Sequence, residues 1–403
     1  VVVATGRGRD LGDTAVIEVD DPRLALGQMA RLHRRRWPGT LIAITGSAGK
    51  TTTKELVKAA VGSTAPVHAA VGSNNNETGV PLTLLGLRPH HRFGVVEMGM
   101  RGLGEIDYLT QLAEPDVAVV VNAGTAHIGR LGSREAIAKA KSEIYGGLGL
   151  DGIGIAPADN PMLLDLARSA PTLMRFGDGR RGAEADVRLT DYALADNGGA
   201  TLEVEIRGER FSLHLPLAGE HNALNACCAL AAAIAAGVEA AEACRGIQAV
   251  VVPSMRSEAV EIAGRHVLLD CYNANPASMK AALAVLGEAP VTRPGRRIAV
   301  IGDMRELGTD ADRLHAELLQ PITDADIDAV YCAGPHMHAL WKLLPHDMRG
   351  HYCEEAKDLE DAILQDVRPG DVVMIKGSLG TRMGPLVEAL KKEYPPADDT
   401  AAA

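Results

Sequence analysis

A glycine-rich segment near the start of the sequence carries the strongest indication of chemistry. Residues 45–53 read TGSAGKTTT and lie between an apolar strand-like run and a helical pattern. In such a loop, backbone amides curl around phosphate oxygens, a lysine neutralises charge on the β- and γ-phosphates, and a threonine hydroxyl coordinates Mg²⁺. Because Ile44 replaces the glycine that usually opens this motif, the loop is a shortened variant, and the alternative is a chance glycine-rich turn. The residues predicted to bind ATP here are Gly46, Ser47, Ala48, Gly49, Lys50, Thr51 and Thr52.

Two side chains beside this loop have the chemistry of a metal site. Glu97 ends one strand-like run and His127 follows another. Both therefore lie at the carboxyl edge of the predicted sheet, where open α/β folds bind ligands. A carboxylate and an imidazole there would suit the Mg²⁺ that accompanies ATP, although imidazole is an unusual magnesium ligand. The alternative for His127 is a structural loop histidine.

Lys141 lies on the apolar side of an amphipathic helical pattern over residues 133–148, in one row with Ile137 and Ile144. Lys139 points elsewhere and is interpreted as solvated. A lysine drawn towards the interior has a lowered pKa, and its neutral amine can react with CO₂ to form a carbamate. This reaction would convert a cation into an anionic oxygen ligand for a second metal. The alternative is a lysine whose stem packs on apolar surface while its ammonium reaches water.

Two amide-rich segments have side chains suited to polar ligands. Residues 73–81 read SNNNETGVP, and consecutive asparagines are poor helix formers that hydrogen-bond polar substrate groups. The alternative is a solvated turn. A helix that begins near residue 220 places His221 or Asn222, together with Asn225, on neighbouring turns, where side-chain amides could read an adenine edge. The alternative for Asn222 is capping of that helix.

The second half of the chain contains four further candidate segments. Arg256 stands isolated in the sequence MRSE and suits a terminal phosphate. Asp270 follows a strand-like run and could bind ribose hydroxyls, while Tyr272 could stack. The segments GDMRELG at 302–308 and KGS at 376–378 also follow strands, and both would face the same cleft.

The composition restricts the classes of ligand and location. The 403 residues are 46% hydrophobic and 3% aromatic, with 41 basic and 52 acidic side chains and a net charge of −11. An acidic chain with few aromatic residues disfavours binding of nucleic acid. No apolar run reaches membrane-spanning length, so we expect no membrane insertion and a cytoplasmic location. The six cysteines contain no CxxC pair, which argues against a zinc ribbon and suits a reducing compartment.

Short apolar runs alternate with helical patterns along most of the chain, as is typical of parallel βαβ construction. Residues 186–217 break this alternation around an Asn-Gly-Gly turn and predict appended antiparallel strands. We expect a domain boundary near Gly295, in a short basic segment rich in proline and glycine, and a frayed tail at 395–403. The predicted buried strands are 41–45, 95–97, 117–122, 153–156, 267–270, 298–301, 329–332 and 372–375.

These segments together resemble the Mur ligase family of ATP-dependent amide-bond-forming enzymes, over residues 20–383. The strings, in chain order, are TGSAGKTTTK, NNNETGVP, AHIGRLGS with KAKSEIY, GEHNALNA, DCYNANPASM, GDMRELG and KGS. The phosphate loop is shared across the family, whereas DCYNANP with GDMRELG resembles the members that add D-alanyl-D-alanine to UDP-N-acetylmuramoyl-tripeptide.

The resemblance implies an α/β fold with a central ATP-binding domain and a C-terminal Rossmann-like α/β domain. The central domain, at residues 39–294, would hold a parallel sheet with the phosphate loop. The C-terminal domain would span residues 295–394. Residues 1–38 would be the remnant of an N-terminal α/β domain that binds the uridine nucleotide.

The resemblance also implies a division of roles around two Mg²⁺ ions. Lys50 and its loop would hold the ATP phosphates, and Thr51 with Glu97 would hold one Mg²⁺. His127 and a carbamylated Lys141 would hold the second. Lys50, Glu97, His127 and Lys141 are thus the expected catalytic residues, with ATP and Mg²⁺ as cofactors.

The remaining implied roles concern the nucleotide and the two peptide substrates, UDP-N-acetylmuramoyl-tripeptide and D-alanyl-D-alanine. Asn222 or Asn225 would face adenine, Asp270 the ribose, and Arg256 the γ-phosphate. The residues expected nearest the peptide substrates are Asn74, Asn75, Asn76, Tyr272, Asn273, Asn275, Lys376 and Ser378.

Two alternatives to this function remain open. One is a related Mur-type ligase that adds a different amino acid or amidates a lipid-linked precursor, and the absence of a four-cysteine zinc insertion weighs against the amidating relatives. The other is an inactive nucleotide-binding paralogue, against which the presence of the four expected catalytic residues argues. We expect a monomer.

Overall fold

The structure, a computed structural model, describes residues 2–7, 15–124, 128–195, 199–251, 258–291 and 294–394. The described residues form a mixed α/β fold with sheets of two, nine and six strands. All eight predicted strands are present, and the predicted α/β class is confirmed. None of the helices in these ranges is long and apolar enough to cross a membrane.

The first elements of the chain form a two-stranded parallel sheet and a helix that packs on the central domain. The helix begins after Asp21, whose carboxylate accepts from the first free backbone amides. Near the other end of the helix, Arg34 is buried and donates to Asp116 at 2.8 Å. This ion pair, in which only the arginine is buried, attaches the helix to the nine-stranded sheet. The elements are β1 (Val2–Ala4), β2 (Ile17–Val19) and α1 (Pro22–Arg36).

The nine-stranded sheet is parallel over its first seven strands in chain order and antiparallel at its far edge. Its strands are β3 (Thr40–Thr45), β4 (Val67–Ala69), β5 (Phe93–Glu97), β6 (Val117–Val120), β7 (Ile153–Pro157), β8 (Thr172–Asp178), β9 (Val187–Leu194), β10 (Ala200–Ile206) and β11 (Glu209–Leu215). The spatial order is β11-β10-β9-β8-β7-β6-β3-β5-β4. The antiparallel strands β9 to β11 confirm the interruption predicted over 186–217.

Helices cover both faces of this sheet, which explains why its parallel strands are apolar on both sides. In β3, Ile42 and Ile44 pack in the core cluster on one face of the sheet, while Leu41 and Ala43 pack in the cluster on the other face. The helices of this domain are α2 (Lys50–Gly62), α3 (Gly79–Leu85), α4 (Glu105–Ala113), α5 (Ile128–Leu131), α6 (Arg134–Ser142), α7 (Pro161–Ala167), α8 (Glu220–Ala235) and α9 (Ala240–Gln248).

The six-stranded sheet opens with an antiparallel hairpin and continues in parallel. Its strands are β12 (Glu258–Ile262), β13 (Arg265–Asp270), β14 (Arg297–Gly302), β15 (Ala329–Ala333), β16 (Arg349–Cys353) and β17 (Val372–Lys376), in the order β12-β13-β17-β14-β15-β16. Its helices are α10 (Pro276–Glu288), α11 (Ala311–Ala316), α12 (Leu319–Asp324), α13 (Met337–Leu343), α14 (Glu360–Asp366) and α15 (Gly384–Glu393).

The chain changes sheets between α9 and β12, so the boundary expected at 294/295 is wrong. β13 pairs with β17 along its length, with Asp270 opposite Lys376, and therefore belongs to the C-terminal sheet. The segment around Gly295 is a connection from α10 to β14 within one domain. A loop inside a domain and a linker between domains share the same proline- and glycine-rich composition, which misplaced the boundary. The tail expected at 395–403 lies outside the described residues.

Candidate active site

A cleft of about 480 Å³ lies between the two larger sheets, at the carboxyl ends of β3, β5 and β6. Residues 47–52 of the phosphate-binding loop line one wall. Residues 270–281 and Lys376 contribute to the opposite wall. Parallel strands of an open α/β sheet bind ligands at this edge, so this position is where a nucleotide site is expected.

The side chain of Asn122, just beyond β6, holds the phosphate-binding loop in place. Its Oδ1 accepts from the amides of Ser47 and Ala48 at 3.1 and 3.0 Å, and its Nδ2 donates to the carbonyl of Ala48 at 3.0 Å. Gly49 has a φ of 77°, and a side chain there would meet Asn225 at 2.7 Å. The loop is therefore held by the hydrogen bonds of Asn122, and its close packing on Asn225 and its positive φ require glycine at position 49.

Lys50 and Thr51 begin α2 directly after the loop. The ammonium of Lys50 donates to the carbonyl of Gly46 at 2.8 Å, which keeps the charge over the loop. The helix amino terminus adds a partial positive charge at the same place. Two independent sources of positive potential thus converge where phosphate oxygens would lie.

Glu97 provides a buried carboxylate next to this helix terminus. The residue is 1% exposed, and its Oε2 accepts from Thr51 Oγ1 at 2.7 Å while its Oε1 accepts from Asn75 Nδ2 at 2.7 Å. Both donors are neutral groups, and a carboxylate oxygen is the type of ligand that hard cations such as Mg²⁺ prefer. The described residues hold no group of three or more His, Cys, Asp or Glu for a protein-only metal cage. Mg²⁺ is commonly held instead by one or two carboxylates, water and substrate phosphates, which fits this donor set.

Lys141 is buried in α6, 1% exposed, within the core that contains Ile137 and Ile144. Burial lowers the pKa of Lys141 well below its usual value, and the charge of Lys50 lowers it further. This shift favours the neutral amine, which is the state that reacts with CO₂. A side chain this deeply buried does not fit the alternative of a solvated ammonium. Its expected metal partner, His127, lies outside the described residues, as does Arg256.

One of the three consecutive asparagines faces the cleft. Asn75 lines it and contacts Glu97. Asn76 Oδ1 accepts from the amides of Thr78 and Gly79 at 3.2 and 2.8 Å, as in a turn that starts α3. The backbone of Asn74 packs so closely on Gly79 that a Cβ on Gly79 would lie 2.6 Å from the carbonyl carbon of Asn74. Asn74 and Asn76 are therefore not brought to the cleft, because their local roles follow the turn alternative.

Asn222 and Asn225 lie together at the cleft end of α8. Asn225 Nδ2 donates to Asn222 Oδ1 at 3.3 Å, and Asn222 Nδ2 donates to the carbonyl of Ala218 at 2.8 Å. Capping of α8 by Asn222 is wrong, because Gly219 occupies the cap position and Asn222 lies inside the first turn. Both amides line the cleft beside the phosphate-binding loop, where contact with a nucleotide base is possible.

Asp270 and Lys376 form an ion pair across the neighbouring strands β13 and β17. The ammonium is buried and also donates to the carbonyl of Asn273 at 3.1 Å. The pair joins two residues with different predicted roles, because Asp270 is expected at the ribose and Lys376 at the peptide substrates. Nearby, the Tyr272 hydroxyl hydrogen-bonds to Ser73 Oγ and links the two domains.

Three other expected substrate residues make contacts within the C-terminal domain. Asn275 caps α10, with Oδ1 accepting from the amide of Ser278 at 2.9 Å. Asn273 lines the cleft and accepts from the next backbone amide at 2.9 Å. Ser378 Oγ accepts from the amide of Arg305 at 3.1 Å and is not among the residues that line the cleft. Ser378 therefore connects the 302–308 and 376–378 segments, which the sequence placed on the cleft separately.

Several residues that line the cleft are absent from the sequence predictions. Asn122 follows the carboxyl end of the parallel strand β6, and Asp159 and Asn160 follow that of β7. A position just beyond the carboxyl end of a parallel strand is the sequence signal that could have identified these residues. The unpredicted lining residues include Asn122, Asp159, Asn160, Phe176 and Gly177.

The family of the chain follows from comparison with known proteins. Residues 44–233 match the model of the Mur ligase middle domain, and residues 255–379 match that of the Mur ligase glutamate ligase domain. The chain is 36% identical over 381 residues to the UDP-N-acetylmuramoyl-tripeptide–D-alanyl-D-alanine ligase of Bacillus subtilis strain 168. This match covers 93% of the chain and 81% of the relative. The chain belongs to the Mur ligase family.

Solved structures of Mur ligases share the fold of this family member. MurF from Acinetobacter baumannii matches with a TM-score of 0.86 and 32% identity, over 94% of this chain and 82% of that one. MurF ligase from Thermotoga maritima, solved in complex with ADP, matches with a TM-score of 0.84 and 26% identity, over 95% and 86%. The family predicted from the sequence motifs is thus confirmed.

Asn122 offers a test of the loop geometry in this Mur ligase. We expect Asn122→Ala to raise the Kd for ATP about 10-fold. Two amides and one carbonyl of the loop lose hydrogen bonds worth roughly 1 kcal/mol each, before solvent and relaxation compensate in part. Isothermal titration with a non-hydrolysable ATP analogue measures this effect. Asn74→Ala, away from the cleft, serves as the control, and an unchanged Kd in Asn122→Ala would contradict the assignment.

His221 predicts a difference in acid stability. Burial lowers the pKa of His221 to about 4, with Asp270 raising it and Lys376 lowering it. An unfolded histidine titrates near 6.5, so the unfolded state binds more protons between about pH 6.5 and 4. Stability is thus lost as pH falls through that window. We expect the fall in Tm from pH 7 to pH 5 to be smaller in His221→Gln than in wild type or in exposed His346→Gln, and equal falls would refute this prediction.

Proposed function

We propose that this chain is an ATP-dependent ligase that adds D-alanyl-D-alanine to UDP-N-acetylmuramoyl-tripeptide in peptidoglycan precursor synthesis. One observation carries the proposal: the phosphate-binding loop and the buried Thr51–Glu97 pair share one cleft with the Asp270–Lys376 pair of the second domain. Relatives that carry this enzyme name, from Bacillus subtilis and at 31% identity from Escherichia coli K12, support it. The ADP complex of the Thermotoga maritima relative supports the nucleotide.

ATP and Mg²⁺ are the cofactors that fit the cleft. Lys50 and the loop amides would hold the phosphates, and Thr51 with Glu97 would hold one cation. His127 and a carbamylated Lys141 are proposed for the second, with Arg256 at the γ-phosphate. When bound, the cations offset negative charge on the phosphates during transfer. Asn222 and Asn225 are proposed for the base, and Asn75, Tyr272 and Asn273 for the peptide side.

The reaction proceeds in two steps. An oxygen of the tripeptide carboxylate attacks the γ-phosphorus, the bond to the ADP oxygen breaks, and an acyl phosphate forms, with Lys50 offsetting the developing charge. The amine of D-alanyl-D-alanine then attacks the acyl carbon and loses a proton. The carbon–oxygen bond breaks, which releases phosphate and leaves an amide.

Water must be excluded because it hydrolyses an acyl phosphate. The two domains already meet beside the cleft, where Ser73 hydrogen-bonds Tyr272. A second contact is so close that a Cβ on Gly129 would come within 2.8 Å of the amide of Gly308. We propose that these contacts close the cleft during turnover.

We also propose that the enzyme is a cytoplasmic monomer. All six cysteines are free thiols, which suits a reducing compartment. Light scattering after size exclusion should give the mass of one chain, and twice that mass would contradict the monomer.

The uridine-binding role expected for residues 1–38 stays a prediction. Measuring the binding of a uridine nucleotide to the Leu32→Asp variant would test it.

Phosphate release with ATP, Mg²⁺ and UDP-N-acetylmuramoyl-tripeptide tests the function. We expect release to require D-alanyl-D-alanine and not to be supported by single amino acids. Release driven equally well by a single amino acid would indicate a Mur-type ligase of different specificity. ATP binding without release in any combination would indicate an inactive paralogue.

A further inference from the structure

Lys54 is a fully buried lysine one turn into α2, with an exposed fraction of 0%. Its ammonium donates to the carbonyls of Ala70 and Gly72 at 2.7 and 2.9 Å and lies 2.9 Å from Glu55 Oε1. Three acceptors thus match the three N–H donors of the ammonium. A buried charge is tolerated only with such complete pairing, so the position of the 70–72 backbone depends on this side chain.

The backbone that Lys54 holds leads directly into two contacts of the candidate active site. Ser73 reaches Tyr272 of the C-terminal domain. Asn75 donates to Glu97 at 2.7 Å, and its carbonyl accepts from the amide of Gly99 at 2.7 Å. A side chain on Gly99 would come within 2.8 Å of Asn75, so little room exists for Asn75 to shift.

Lys54 therefore connects the helix of the phosphate-binding loop to the segment that orients the cation-binding carboxylate. Helix α2 also carries Thr51, the other contact of Glu97. The two donors to Glu97 come from separate parts of the chain, and Lys54 fixes the distance between them. A neighbouring lysine, Lys58, pairs with the same Glu55 from the protein surface and does not reach the loop.

We propose that Lys54 is a positioning residue for the ligase reaction, which holds residues 70–75 so that Asn75 orients Glu97 for Mg²⁺ and Ser73 contacts Tyr272. The inference rests on the proposed function for its link to catalysis. Its structural part concerns loop order and cation binding. Both can be measured without turnover.

Hydrogen exchange and cation binding in Lys54→Met test the proposal, because methionine fills the same space without donors. We expect exchange of peptides covering residues 70–79 to be about tenfold faster in the variant. We expect the Kd of Mn²⁺, read by EPR with a non-hydrolysable ATP analogue, to rise about 10-fold, the usual effect of losing a residue that orients a metal ligand. Lys58→Met is the matched control and should equal wild type in both measurements.

A double-mutant cycle separates positioning from general destabilisation. Adding Lys54→Met to Asn75→Ala should weaken Mn²⁺ binding no further, because both changes release the same carboxylate. If Lys54→Met does not fold, Lys54→Gln, which keeps two N–H donors, replaces it. Unchanged exchange and unchanged Mn²⁺ binding, or additive effects in the double variant, would overturn the proposal. A wild type without ligase activity would refute the proposed function and leave these readouts valid.

Discussion

Lys141→Ala is expected to lower the kcat of ligation by at least about 10³-fold, and short-chain carboxylates such as acetate are expected to restore part of it. The reason is the environment of the amine. Lys141 is almost entirely buried, and burial together with the charge of Lys50 lowers its pKa well below the usual value. In the role proposed for Lys141, a neutral amine there would combine with CO₂, releasing one proton and forming an anionic carbamate. The variant removes that anion, and an added carboxylate replaces it.

The control for this experiment lies on the same helix. Lys139 is exposed, so Lys139→Ala should keep full activity and show no response to acetate. Depletion of CO₂ and bicarbonate should slow the wild type and leave the acetate-treated Lys141→Ala unaffected. Full activity of Lys141→Ala without any carboxylate would refute the carbamate role.

Lys50→Met is expected to reduce kcat to a similar extent, by about 10³-fold, while the fold stays intact. Its ammonium lies over the loop at 2.8 Å from the Gly46 carbonyl, where phosphate charge develops during transfer. Single-turnover measurement of acyl phosphate formation isolates the affected step. Exposed Lys280→Met serves as the control for loss of a positive charge.

The same variant has a second expected effect through Lys141. Because the charge of Lys50 lowers the pKa of Lys141, its removal lets that pKa rise. Carbamate formation should then require a higher pH or more bicarbonate. A Lys50→Met enzyme with wild-type phosphate transfer would contradict the role of Lys50 in catalysis.

The strands and the phosphate-binding loop could be predicted because their signals are local. Buried parallel strands appear as short apolar runs, and the loop requires glycine, lysine and threonine at fixed spacing. Glu97 could be placed at the site because it ends such a strand. Predicting that these residues lie at the site required only the rule that ligands bind at the carboxyl ends of parallel strands.

Contacts between distant segments could not be predicted in the same way. The pairing of β13 with β17 joins residues about a hundred positions apart, and it moves the domain boundary and brings Asp270 to Lys376. Asn76 and Asn275 have the side chains of ligand-binding residues, yet Asn275 caps α10 and Asn76 accepts from backbone amides in the turn before α3. An asparagine that caps and one that binds look alike in sequence, because both use the same amide oxygen.

The transfer of an oxygen atom tests the central claim most directly. UDP-N-acetylmuramoyl-tripeptide labelled with ¹⁸O in its reacting carboxylate is incubated with ATP, Mg²⁺ and D-alanyl-D-alanine, and phosphate and peptide products are analysed by mass spectrometry. We predict one ¹⁸O atom in the released phosphate and a product extended by D-alanyl-D-alanine. The reason is that the phosphate released from an acyl phosphate keeps one oxygen of the former carboxylate. Unlabelled phosphate, or labelled phosphate without the extended peptide, would contradict the account.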